Sequence, residues 1–96
     1  LVGQFRGRNL FADLPAESQR AKGDWVLKDG DTAVWITGKD PRGKGWALDP
    51  GYKGDTHRFV AVEGKPEVVN GIVYVRASKV ALATAPNREA TDSDPP

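Results

Sequence analysis

The chain contains no cysteine, which excludes disulfides, thiolate metal sites and cysteine nucleophiles. That absence leaves the redox compartment open, because oxidising and reducing compartments both hold cysteine-free domains. Methionine is absent too, even at position 1, and Leu1-Val2 already reads as strand. The chain therefore reads as an excised or processed piece, exported or cytoplasmic, with any signal segment upstream. No apolar run approaches the length of a membrane-spanning helix; none is longer than the four residues of "AVWI" (33–36). Neither sign of charge dominates, with 14 Lys and Arg against 13 Asp and Glu. Such a balance permits an anionic partner without demanding one.

Ninety-six residues make one domain of globular composition. The last stretch, "TAPNREATDSDPP" (84–96), has no apolar periodicity and reads as a disordered, acidic tail. Residues 1–83 are then mildly basic and long enough for one small core.

Strand signals dominate those residues. "LVGQF" (1–5), "DWVLK" (24–28), "TAVWIT" (32–37), "RFVAVE" (58–63) and "GIVYVRASKVAL" (71–82) are short, β-branched or aromatic, and bounded by turn formers. Asp29-Gly30-Asp31 and Asn70-Gly71 read as hairpin turns. One short helix is expected after Asp13, with Pro15 in its first turn and Gly23 ending it. Alternation turns Trp25 and Leu27, Val34 and Ile36, Val60 and Val62, and Val73, Val75 and Ala77 inward. Glycine followed by a basic residue after several strands marks bulges or barrel corners. The segment 40–57, "DPRGKGWALDPGYKGDTH", has four glycines, two prolines and no period, so it reads as a long irregular connection. Five short strands leave exposed edges unless they close into a cylinder.

"DWVLKDGDTAVWITG" (24–38) resembles the second and third strands of the OB-fold, and "HRFVAVEGKPEVVNGIVYVRASKVAL" (57–82) resembles its fourth and fifth. The resemblance covers about residues 1–82 and implies an all-β, five-stranded antiparallel barrel. It also implies a binding face over the middle strands and adjoining loops, for oligonucleotides, oligosaccharides or proteins, and no particular activity. The helix that many members place between strands three and four has no counterpart in 40–57, where Pro41, Pro50 and the glycines oppose it. An SH3-like barrel, also built of five short strands, is the nearest rival.

"GKDPRGKG" (38–45) matches the phosphate-loop spacing up to its last position, where Gly45 replaces the Mg²⁺-binding hydroxyl. No helix follows to cradle a phosphate, so it reads as a Gly-rich turn. "DGD" (29–31) lacks the further oxygen ligands of a calcium loop. His57 with Asp49 and Asp55 would need a pinched loop to hold a metal, and a lone loop histidine is more often solvated. Leu10, Phe11 and Leu14 are expected to cap one barrel end. The candidate ligand set is Trp35, Arg42, Lys44, Trp46, Tyr52 and Arg58, because aromatic platforms flanked by cations hold single-stranded nucleic acid. Trp35 alternates outward, which suits stacking; the alternative is that the 40–57 loop closes over it. The sequence thus points to a monomeric binding module rather than an enzyme, with no cofactor or metal. Its partner is a protein or, alternatively, an oligonucleotide.

Overall fold

The computed structural model describes residues 1–84, so the expected tail lies outside the described residues beyond Thr84. Its strands are β1 (Val2–Phe5), β2 (Trp25–Asp29), β3 (Thr32–Thr37), β4 (Arg42–Gly43), β5 (Trp46–Ala47), β6 (Phe59–Val69) and β7 (Ile72–Ala83). Two tight turns set the register. Asp29 pairs with Thr32 around Gly30-Asp31, and Val69 pairs with Ile72 around Asn70-Gly71. Gly30, Asn70 and Gly71 have φ of 62°, 52° and 82°, which the right-handed twist of the flanking strands demands and which Gly and Asn adopt most readily.

The main sheet is a closed barrel in the order β1-β2-β3-β7-β6, with β6 returning to β1. Four neighbouring pairs are antiparallel, but β3 and β7 run parallel, from Trp35↔Tyr74 to Thr37↔Arg76. The antiparallel barrel expected from the sequence is therefore a mixed one. The reason is parity: strands that alternate direction around a closed ring must be even in number, so a ring of five contains a parallel pair.

Inside the cylinder lie Phe5, Trp25, Leu27, Val34, Ile36, Val60, Val62, Val75 and Ala77, with Leu48 from the long connection. Phe5 and Trp25 meet at 5.6 Å between ring centroids. Val73, expected in this set, is instead 38% exposed. It has the inward alternation of Val75, but β6 and β7 are 11 and 12 residues long while β1 to β3 have four to six. The hairpin outruns the rim, and Val73 faces solvent beside its cross-strand partner Val68, which is 67% exposed.

β1 reaches along β6 as far as Val62, whose N–H donates to Leu1 O at 2.7 Å. Beyond it β6 has β7 as its sheet neighbour, and Lys65 and Pro66 blunt the free edge against further pairing. The register shifts between Glu63 and Gly64, where the long hairpin bends. A Cβ on Gly64 would run into the main chain at Arg76 and Ala77, so glycine lets the two strands cross closely there.

The 40–57 connection is ordered as a plug. β4 and β5 form a small hairpin, Leu48 N–H donates to Pro41 O at 2.9 Å, and Trp46 packs its half-buried ring on the core. Trp46 also lies over Gly43, where a Cβ would stand 2.6 Å from its indole nitrogen. A single 3-10 turn at Lys53–Asp55 follows. The helix expected after Asp13 does not form; residues 13–22 run as bends and turns. Asp13 is engaged by Arg6 at 2.7 Å and Lys28 at 3.5 Å, and tertiary contacts further on hold the segment open against its weak helical preference. No helix among the described residues is long and apolar enough to cross a membrane.

Candidate functional site

The outside of this barrel carries a second apolar cluster. Val26 pairs with Trp35 across β2 and β3, and Trp35 pairs with Tyr74 across β3 and β7. The three side chains stand abreast on the outer face, because their neighbours Trp25, Leu27, Val34, Ile36 and Val75 take the inner one. The Trp35 and Tyr74 rings stack with centroids 6.4 Å apart and planes 18° apart. Ala33, Val69 and Ile72 extend the patch, and Glu67 continues the row as the cross-strand partner of Tyr74.

A large apolar patch on an outer face needs a cover. Residues 13–22 supply it as a strap across β2, β3 and β7. Leu14 packs on the cluster. Gln19 N–H donates to the Tyr74 hydroxyl at 2.7 Å, and Asn70 Nδ2 donates to Gln19 Oε1 at 2.6 Å. Arg20 pairs with Glu67, which also accepts from Arg76 Nε at 2.8 Å. At one end Asn9 holds Leu14 by two reciprocal bonds, Nδ2 to Leu14 O at 2.8 Å and Leu14 N–H to Oδ1 at 3.0 Å. At the other, buried Asp24 accepts from Ser18 Oγ at 2.6 Å and from Ala21 N–H at 3.2 Å. Beside that end lies a shallow cleft of about 270 Å³, lined by Ala21, Gly23, Asp24, Gly38, Lys39 and Asp40.

The strap is clasped by two carboxylates whose acidities are shifted the same way. The Arg76 hydrogen bond, followed by the charges of Arg20 and Arg76, holds Glu67 below its ordinary value of 4.5. Burial raises the Asp13 carboxyl, but Arg6 and Lys28 together outweigh it and bring it below 3.8. A depressed folded value means stability that is complete above the ordinary value and lost as pH falls through the folded one. The urea midpoint is therefore expected to hold level above about pH 5 and to fall below it. Glu67→Gln should shrink that acid limb by lowering the neutral plateau toward the acid value, while the stability at low pH, where Glu67 is already protonated, changes little; an identical acid limb in the variant would contradict the assignment.

The residues expected to bind ligand fall in three places. Trp35 points outward as its alternation requires, but at 2% exposure it offers no free ring face, and its cover is the strap rather than the 40–57 connection. Arg42 and Lys44 are exposed on the β4–β5 hairpin, Arg42 beside Asp40 at 3.7 Å, while Trp46 is turned into the core. Tyr52, 58% exposed, and half-buried Arg58 flank the 3-10 turn. The "GKDPRGKG" stretch is a hairpin whose turn, Lys44-Gly45, joins Gly43 to its partner Trp46.

Leu10, Phe11 and Leu14 do not cap a barrel end together. Leu14 lies on the outer cluster, while Phe11 is exposed under Arg6, 4.2 Å from its ring centroid, with Lys53 at 5.3 Å. His57 is exposed and its Nδ1 lies 2.7 Å from Gly54 O. Asp55 accepts from Asp49 N–H and Asp49 from Gly51 N–H, each at 2.8 Å, so both carboxylates shape the loop. Among the described residues no group of three or more His, Cys, Asp or Glu is placed to hold a metal ion.

Sequence reading missed Gln19, Arg20, Glu67 and Tyr74 as members of one site. Tyr74 was open to inference, since it alternates opposite to Val75. Glu67 is its cross-strand partner across the Asn70-Gly71 hairpin, while Gln19 and Arg20 reach Tyr74 and Glu67 only through contacts of 55 and 47 residues in separation. No family model, curated protein or solved structure matches the chain.

Proposed function

We propose that this chain is a non-catalytic, OB-like binding module that takes an extended segment of a protein partner on the outer face of β2, β3 and β7. The observation that carries the reading is the Val26–Trp35–Tyr74 row, an aromatic surface on the wrong side of a barrel to be its core. Only an irregular strap lies over it, and aromatic residues on a rigid sheet suit the centre of a protein interface. Several features support the OB-like assignment. Five strands close into one ring, β1 carries the internal Gly3 whose Cβ would stand 2.8 Å from Lys28 O, and the row occupies the middle strands between two loops. The use of His57, Asp49 and Asp55 in local loop bonds supports binding over catalysis.

Selection of a displayed random-peptide library on the chain tests this. Enriched peptides should shift the amide resonances of Val26, Trp35 and Tyr74. Enrichment that maps to another surface, or none at all, rejects the reading.

A second reading, single-stranded nucleic-acid binding, is favoured by one observation: Phe11 is an exposed ring beside Arg6 and Lys53, and the exposed Tyr52 directly precedes Lys53 in the chain. Stacking there would contribute about 1–3 kcal/mol per base. Arg42, Lys44 and Arg58 would supply the cations on this reading, with half-buried Trp46 on the same hairpin as Arg42 and Lys44. A labelled oligothymidylate, followed by anisotropy, should show no binding at low salt if the protein reading holds. Binding with a steep salt slope, lost in Tyr52→Ala, would replace it.

A further inference from the structure

The cover over the aromatic row is unlike the surface it covers. Val26, Trp35 and Tyr74 are held by strand pairing on rigid elements, at 0%, 2% and 1% exposure. The strap forms no strand or helix. Its apolar contribution to the cluster is Leu14. Over the row itself, the rest of its hold is one main-chain N–H on the Tyr74 hydroxyl, an amide pair between Gln19 and Asn70, and an ion pair of Arg20 with Glu67. Both members of that ion pair are about one-third exposed, and pairs so placed contribute little. Its ends are tied by Asp13 to Arg6 and Lys28, by Leu14 to Asn9, and by Ser18 and Ala21 to Asp24.

Left-handed backbone on one side and an unhindered glycine on the other flank the strap. Asn9 and Ala12 have φ of 57° and 56° on one side, and Ala12 is a residue type that rarely adopts such a conformation. Gly23 on the other side has open space around it. Segments of this kind, with few apolar contacts and solvent-exposed hydrogen bonds, open at a fraction of the global unfolding free energy. Opening exposes the aromatic row, and any segment that covers it again recovers the lost burial.

Resting on the reading that this face binds an extended protein segment, we propose that residues 13–22 are a built-in stand-in for the partner and compete with it for the face. The strap shows the chemistry that fits. The partner presents an aliphatic side chain in place of Leu14, a main-chain N–H to the Tyr74 hydroxyl, and a cation on Glu67 in place of Arg20, six positions further along. The strap lowers the apparent affinity by the fraction of time it is closed, so loosening it raises affinity without touching the binding row.

Two measurements on the full chain test this. In native-state hydrogen exchange the Gln19 amide should exchange roughly 100-fold faster than the Val26 and Trp35 amides, with little dependence on added urea. A fluorescein-labelled peptide of residues 13–22 should bind the Arg20→Ala chain ~2- to 5-fold more tightly than the wild type, and the Leu14→Ala/Arg20→Ala chain at least ~10-fold more tightly. The same peptide carrying Leu14→Ala should not bind. Circular dichroism of each variant shows whether the barrel is intact, and Arg20→Ala alone decides the matter if the double variant unfolds. Gln19 exchanging only with global unfolding, or the peptide binding wild type and loosened chains equally, overturns the competition. Strap opening without peptide binding to any chain overturns the binding reading itself, and the stand-in with it.

Discussion

Trp35→Ala is expected to lower the stability by ~3–5 kcal/mol in urea unfolding, the range for truncating a large buried aromatic. A domain of this length has about 4–13 kcal/mol in total, so the variant should sit near the edge of folding. The position makes the result informative. Trp35 points away from the barrel interior, and a solvent-facing stacking residue would change stability by no more than about 0.5 kcal/mol when removed. Here it is wedged between Val26 and Tyr74 with the strap above, so its loss removes the middle of a second core. Trp35→Phe, which keeps an aromatic ring on Tyr74, should retain most of the stability. A fully stable Trp35→Ala chain would mean that the outer cluster is not packed as described.

Gly64→Ala is expected to be nearly as damaging for a different reason. A Cβ at Gly64 would fall inside the Arg76 carbonyl, with the Arg76 carbon at 2.8 Å and the Ala77 Cα at 2.9 Å. Every one of these atoms is main chain, so no side chain can swing aside. The cost belongs at the upper end of over-packing, about 3 kcal/mol, because β6 and β7 must separate where the register shifts. The same change at Gly23, where nothing lies within 4 Å, should alter stability by less than about 0.5 kcal/mol. Equal effects at the two positions, read by thermal or urea unfolding, would argue against the tight crossing at the bulge.

The local parts of this structure were readable in the residues themselves. Asn70-Gly71 and Gly30 name their turns through the φ they must adopt, and the period-two alternation of β2, β3 and β6 sorts the core correctly. The parallel β3–β7 pair follows from the odd strand number, once closure is granted. What alternation cannot carry is the cover and the rim. The outward direction of Trp35 was legible, but its burial depends on a loop whose grip on Tyr74 spans 55 residues. Val73 has the inward direction, yet its exposure depends on how far β6 and β7 extend past their neighbours. The helix expected over 13–23 failed because its short local preference lost to Arg6, Lys28, Tyr74 and Glu67, none of which is local. Trp46 and Leu48 gave a faint signal as apolar residues in a polar stretch, and they pack onto the core as the plug.

The molecule is a closed ring of five strands with a covered aromatic row on its outside. Nuclear Overhauser contacts across β3 and β7 test that most directly. Main-chain contacts pairing Trp35 with Tyr74, Ile36 with Val75 and Thr37 with Arg76 in parallel register, together with a contact from the Gln19 amide to the Tyr74 ring, are the predicted result. A spectrum with β1–β2–β3 and β6–β7 contacts but none joining β3 to β7 would describe an open sheet and contradict it.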